Sequence, residues 1–149
     1  MSSLNNRRIL YVEDNVEACS MLSLMLSFSG IDVQPAGTIA EALRFAETEA
    51  FDLFLLDSTF QDGTGLDLCR QLGESTPQTP VVFYSGEAND SDRSSAMAAG
   101  AVAYLTKPNC DLIANCVFQN TAASRSINIG PELPKDSLIL PLRSNRAFA

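Results

Sequence analysis

The chain has 149 residues, about one domain's worth, of which 46% are hydrophobic, and its 10 Lys and Arg against 18 Asp and Glu leave a net charge of -8. This composition excludes a disordered or collagen-like chain, and no apolar run approaches the ~18 residues of a membrane span. The charge makes nucleic acid and anionic membrane surfaces poor partners. Residues 1 to 123 hold six basic against sixteen acidic side chains and residues 124 to 149 four against two, so the acidity belongs to the body.

Histidine is absent, and Cys19, Cys69, Cys110 and Cys116 form no Cys-x-x-Cys pair. Zinc fingers, His-based metal sites and any His-dependent triad are thereby excluded. The cysteines read as small buried side chains. The N-terminal segment shows no signal-peptide pattern, so the expected location is the cytoplasm, with reduced thiols.

In chain order, the first apolar run is Ile9-Leu10-Tyr11-Val12, followed by a helical pattern from Asn15 to Phe28 that is apolar over much of its girth. A second run, Ile31 to Val33, precedes a helix whose Ile39, Leu43 and Ala46 form one apolar stripe, with Glu41, Arg44, Glu47 and Glu49 pointing elsewhere. The third run, Leu53 to Leu56, and the fourth, Val81 to Tyr84, are continuous apolar segments of the kind buried on both faces of a parallel sheet. The helix after the fourth run, residues 90 to 99, has Met97 as its single large apolar residue, which predicts the least firmly anchored helix. A fifth run, Val102 to Leu105, leads to a helix with Leu112, Ile113, Cys116 and Val117 on one face and Asp111 in its first turn.

Alternating strands and helices with short connections predict an α/β fold: a doubly wound, five-stranded parallel sheet of order 2-1-3-4-5 with five helices, the flavodoxin-like plan. The predicted domain spans residues 7 to 123. In residues 124 to 149, Pro131, Pro134 and Pro141 break any helix, and two readings stay open: a flexible tail, or a segment that docks through Leu138, Ile139 and Leu140.

Ligands of such a sheet bind outside the carboxyl ends of the strands, next to the point where strand order reverses. Those ends carry Glu13 and Asp14 after the first strand, Asp57 after the third, Ser85 after the fourth, and Thr106 and Lys107 after the fifth. Three converging carboxylates repel one another unless a cation sits between them, and Mg2+ with oxygen ligands meets that need. Lys107 adds a point charge suited to a phosphoryl oxygen, and Ser85 a hydroxyl donor. The pattern describes a phosphoryl group placed on or beside a carboxylate, with Asp57 as the candidate nucleophile.

These residues resemble the receiver domain of bacterial response regulators. The resemblance rests on Ile-Leu-Tyr-Val-Glu-Asp-Asn at 9 to 15, Phe-Asp-Leu-Phe-Leu-Leu-Asp at 51 to 57 with Gly65 eight residues on, Ser85 closing the fourth strand, and Thr-Lys-Pro at 106 to 108. It implies that Asp57 is the phosphoacceptor and that Asp14, Asp57 and the backbone carbonyl of Thr59 bind Mg2+, with Glu13 acting through a metal-bound water. It further implies Ser85 and Tyr104 as a switch pair, Lys107 on the phosphoryl oxygen, a cis Lys107-Pro108 bond, and Thr59 and Glu87 as positions that tune loss of the phosphoryl group. The chain departs from the family in having Phe60 and Gln61 where Met or Leu and then Pro are usual, and Gly86 where Ala is usual.

The expected function is a switch of a two-component or phosphorelay system, self-catalysing its phosphorylation but not otherwise an enzyme. A separate histidine kinase or phosphotransfer protein would be the donor. A downstream protein would bind the face of the fourth helix, fifth strand and fifth helix, and a homodimer is open. The alternatives are a phosphorylation-independent scaffold, an aspartyl-nucleophile phosphatase, which would need an Asp where Thr59 stands, and a flavodoxin, whose flavin phosphate Glu13 and Asp14 would repel.

Overall fold

Continuous apolar runs have no solvent face, so they must be covered on both sides. The computed structural model, which describes residues 6–87 and 89–120, places all five in one parallel sheet. The elements in order are β1 (Arg7–Val12), α1 (Val16–Ser27), β2 (Ile31–Ala36), α2 (Ile39–Thr48), β3 (Leu53–Leu56), β4 (Thr59–Phe60), β5 (Gly63–Thr64), α3 (Gly65–Ser75), β6 (Val81–Ser85), α4 (Asp90–Ala98), β7 (Ala103–Thr106) and α5 (Cys110–Asn120). The large sheet runs β2-β1-β3-β6-β7 with every pairing parallel. This is the predicted 2-1-3-4-5 order with five helices.

Alternate residues of each strand feed two cores, as a period of two requires. Ile9, Tyr11, Leu53, Leu55, Val82 and Tyr84 pack with Leu22 and Leu26 of α1 and Ile113 and Val117 of α5. Leu10, Val12, Phe54, Leu56, Phe83 and Tyr104 pack with Ala42 of α2, Leu68 and Leu72 of α3 and Ala96 of α4. The four residues of β3 are all at most 1% exposed. Each such side chain contributes about 1.5–3 kcal/mol by leaving water, which makes the central strands the most firmly held part of the fold.

Four of the five helices, α1 to α4, start on side-chain caps. Asn15, Thr38, Thr64 and Asn89 each accept the backbone N–H three residues on. α4 buries only Ala96, with Met97 half-buried, so its weak anchoring follows from composition. We expect its amides to exchange fastest among the five helices in a hydrogen-exchange measurement; slower exchange in α4 than in α2 would contradict this account.

One element was not foreseen. β4 and β5 pair antiparallel, making a hairpin out of the loop that follows β3. With Gln61 in place of a proline, the loop backbone is not held at a fixed φ. Gly63 takes φ 150, a conformation that favours glycine. The turn residue Asp62 reaches across to α2, accepting the N–H of Ile39 at 2.9 Å and of Ala40 at 3.1 Å. Those two bonds, Ile39 first, pull its carboxyl pKa below the usual value, as expected for an anion at a helix N-terminus. The loop after the candidate nucleophile is therefore tied to a neighbouring helix.

Cys19, Cys69 and Cys116 are buried and Cys110 is half-buried, all as free thiols. Among the described residues no helix is long and apolar enough to cross a membrane. Residues 121 to 149, with the Leu138-Ile139-Leu140 segment, lie outside the described residues.

Candidate functional site

The sheet order reverses between β1 and β3, and the backbone carries the ladder past the strand ends there. Glu13 N–H donates to Ala36 O at 2.8 Å, Asp57 N–H to Val12 O at 3.1 Å, and Lys107 N–H to Ser85 O at 2.8 Å. Glu13, Asp57 and Lys107 are thus each fixed by a main-chain bond to the neighbouring strand rather than hung on a free loop.

Glu13, Asp14 and Asp57 each bring a carboxylate oxygen within 4.8 Å of the others. Glu13 is 5% exposed, Asp57 is half-buried and Asp14 exposed. Lys107 Nζ stands 2.6 Å from Glu13 Oε1 and 3.8 Å from Asp57 Oδ1, and 5.7 Å from the centre of the Tyr84 ring. The lysine spans the first and third carboxylates from the far edge of the site.

The three charged groups answer differently to this setting. Burial raises the Glu13 carboxyl pKa, but the Lys107 hydrogen bond, the Asn15 N–H at 3.1 Å and the Tyr11 hydroxyl outweigh it, leaving the pKa below the usual value. For Asp57 burial wins: it raises the pKa against the Ser58 N–H and Lys107, with Glu13 and Asp14 adding repulsion. Burial opposes the Lys107 charge too, yet Glu13 and Asp57 hold its pKa above the usual lysine value. An Asp57 charge that its own surroundings penalise is one that a bound cation would favour.

The donor set fits a hard divalent cation: carboxylate oxygens only, with no sulfur or imidazole among them. Thr59 opens β4 with its side chain exposed, two residues past Asp57, and Gly65 N–H closes the loop onto Ser58 O at 2.7 Å. A Cβ on Gly65 would come within 2.4 Å of the Asp57 carbonyl oxygen and 2.8 Å of the Phe83 ring. Only glycine allows α3 to start this close to the nucleophile's backbone.

On the other side Ser85 is 7% exposed, and its Oγ accepts the Glu87 N–H at a long 3.4 Å. Tyr104 is buried, stacked on Phe83 with centroids 5.7 Å apart, and its hydroxyl donates to Glu87 O at 2.9 Å. Arg93 of α4 lies 5.8 Å over the same ring. Ser85 and Tyr104 do not touch through any bond of their own but share one neighbour, Glu87, whose side chain is exposed. The Lys107-Pro108 bond is cis, as the resemblance implied.

Two residues around the site were missed in the sequence. Tyr11 donates its hydroxyl to Glu13 Oε1 at 3.2 Å; burial keeps its phenol protonated by raising the pKa. Tyr84 faces Tyr11 at 6.1 Å and accepts the Asn109 N–H at 3.0 Å. A period of two would have found Tyr11, since residues two apart on a strand point the same way. Nothing local marks Tyr84, because its partners come from β1 and from the segment after β7.

Comparison with known proteins matches residues 9–115 to the response regulator receiver domain family. Among curated relatives, the alkaline phosphatase synthesis transcriptional regulatory protein PhoP of Bacillus subtilis is 34% identical over 69% of this chain and 43% of its own length. The response regulator protein PilR of Pseudomonas aeruginosa is 32% identical over 70% of this chain and 24% of its own. The chain thus spans less than half the length of these relatives. Among solved structures, a receiver domain protein from Methanospirillum hungatei superposes with a TM-score of 0.74 at 26% identity, covering 83% of this chain and all of that one.

Proposed function

The chain belongs to the response regulator receiver domain family of two-component signalling, and on that premise we propose that Asp57 accepts a phosphoryl group and that the neighbouring groups convert its arrival into a change at α4 and β7. The observation that carries the reading is the placement of Asp57, half-buried and 3.8 Å from Lys107 Nζ, within a cluster of three carboxylates.

In the proposed step an Asp57 carboxylate oxygen attacks the donor phosphorus, an acyl phosphate bond forms, and the P–N bond of a phosphohistidine breaks, its electron pair leaving with the imidazole. The donor histidine lies outside this sequence, which has none. Asp14, Asp57 and the Thr59 carbonyl would hold Mg2+, with Glu13 behind a water, and a bound Mg2+ supplies neutralisation of the phosphoryl oxygens. Lys107 exchanges part of its pairing with Glu13 for a phosphoryl oxygen, a charge-assisted bond.

Ser85 is the sensor of this reading. Turning its hydroxyl to the phosphoryl group gives up the weak bond from the Glu87 N–H, and Glu87 O anchors Tyr104, whose ring lies under Arg93 of α4. A shift at Glu87 therefore reaches the least anchored helix through two contacts, a population shift driven by new bonds at one end. The output partner is placed on the α4, β7 and α5 face. Thr59 and Glu87 border the phosphoryl position and are assigned to tuning its lifetime.

The test is intact mass of the chain after incubation with acetyl phosphate, with and without Mg2+, alongside a Mg2+ titration followed by fluorescence. The sequence has three tyrosines and no tryptophan, and Tyr11, Tyr84 and Tyr104 all border the site, so cation binding is read directly. One added phosphoryl group that requires Mg2+ is the expected result. Saturable Mg2+ binding with no addition would leave a scaffold that keeps an acidic site without switching.

A further inference from the structure

α2 is capped from two places in the chain. The N–H groups of a helix's first turn have no intrahelical acceptor. Here the local cap, Thr38, serves two of them: its Oγ1 accepts the Glu41 N–H at 3.1 Å and its carbonyl the Ala42 N–H at 3.0 Å. The remaining two, Ile39 and Ala40, donate to the two carboxylate oxygens of Asp62, at 2.9 and 3.1 Å. A local cap serves the helix alone, whereas one carboxylate bonded to two amides more than twenty residues away also fixes its own loop against that helix.

The loop needs such a hold. β4 and β5 have two residues each, and so short a hairpin does not stand alone in water without packing against another element. Phe60 is buried in the same core as Ile39. Gly63 lies so near that residue that a Cβ on it would come within 2.7 Å of Ile39 Cδ1. Phe60 and Gly63 are paired, which leaves Gln61 and Asp62 as the exposed turn. A proline at the first turn position would set φ covalently; glutamine leaves the turn to be held by the Asp62 bonds.

We propose that Asp62 is a positioning residue for the metal site: by holding the turn on α2 it keeps the Thr59 carbonyl at the rim beside Asp57. The inference rests on the assignment of that carbonyl to Mg2+. The carboxylates of Asp14 and Asp57 reach a cation by rotating a side chain, but a carbonyl belongs to the backbone and is only as well placed as its loop. Thr59 is two residues past Asp57 and pairs with Thr64, on the far side of the Asp62 turn. At one end the Gly65 N–H closes the loop onto Ser58 O at 2.7 Å, and at the tip Asp62 closes it onto α2. Groups that orient a metal ligand raise affinity without touching the ion, because the geometry is set before binding.

The test compares wild type, Asp62→Ala, Asp62→Asn, and Asp62→Ala combined with Gln61→Pro, in the full chain. Asp62 is exposed, so these changes leave the core intact. Amide exchange without metal is read by NMR, and Mg2+ affinity by tyrosine fluorescence. In Asp62→Ala, exchange should quicken at Gly65 as well as at Ile39 and Ala40. Mg2+ binding should weaken about three- to tenfold, less than the roughly 10–100-fold of a group bonded to a ligand itself. Asp62→Asn keeps an acceptor oxygen and should lose less. Adding Gln61→Pro should restore Gly65 protection, and Mg2+ affinity to within about twofold, while Ile39 and Ala40 stay fast. Quickening at Ile39 and Ala40 alone would make Asp62 a helix cap and overturn the proposal. Equal losses in the Ala and Asn variants with no rescue by proline would overturn it in favour of a simple charge effect on the cation. A wild type that binds no Mg2+ overturns the metal-site reading and this role with it, whereas normal wild-type binding that Asp62→Ala leaves unchanged overturns this role alone.

Discussion

Asp57→Asn is expected to abolish phosphoryl transfer while leaving the chain folded. An amide of the same shape keeps the packing at the end of β3 but is no nucleophile, so the added mass seen in wild type with acetyl phosphate and Mg2+ should vanish. Stability should hold or rise slightly. Burial and the neighbouring Glu13 and Asp14 already penalise the Asp57 charge, and its contact with Lys107 is the longer of the two, 3.8 Å against 2.6 Å to Glu13. Removing the charge relieves repulsion and leaves the closer ion pair in place, whereas cutting Lys107 away would strand a buried Glu13. Persistent labelling of the Asn variant at the wild-type rate would move the acceptor to another side chain and sink the assignment.

Gly65→Ala should damage both the fold and the site. Two effects oppose each other at this first position of α3. Alanine favours a helix over glycine by roughly 0.5–1 kcal/mol. Its Cβ, however, would lie 2.4 Å from the Asp57 carbonyl oxygen, a backbone atom, and 2.8 Å from a ring carbon of Phe83. Backbone held by a sheet on one side and a hairpin on the other yields only by moving both, and overpacking of this kind costs about 1–3 kcal/mol or more. The clash wins, and we expect a melting temperature lower by on the order of 5–10 °C. Because the atom pushed belongs to Asp57 itself, phosphoryl transfer should also slow in the fraction that remains folded. An unchanged melting curve would show that the start of α3 has room to shift. Asp57→Asn spares the fold and Gly65→Ala does not, so the pair separates loss of chemistry from loss of structure.

Order in the strands and disorder in the reading of loops have the same origin. The five sheet strands were legible because each is a short run of apolar residues whose burial is decided within the run itself. Their order followed from the alternation with helices, and with it the rim on which Glu13, Asp14, Asp57, Ser85 and Lys107 meet. The hairpin after Asp57 was not legible, although Asp62-Gly63 is a turn signal. The turn signal is a two-residue cue flanked by strands of only two residues each, and the partners of Asp62 lie on α2, more than twenty residues earlier.

What the sequence determined by itself about this protein is thus the fold class, the strand order, the acidic rim and the family, all of which depend on residue type and spacing along the chain. The tertiary structure alone decided which charge is paired and which is penalised: Lys107 sits closer to Glu13 than to Asp57, and Tyr11 adds a second donor to the same oxygen. It also decided which apolar side chains of α1 are core and which are surface. Leu22 and Leu26 are buried, while Met21, Leu24, Met25 and Phe28 are not. On a helix apolar over much of its girth, composition does not say which side faces the sheet; that is set by the neighbouring strands and by α5, whose positions depend on contacts between residues far apart in the chain.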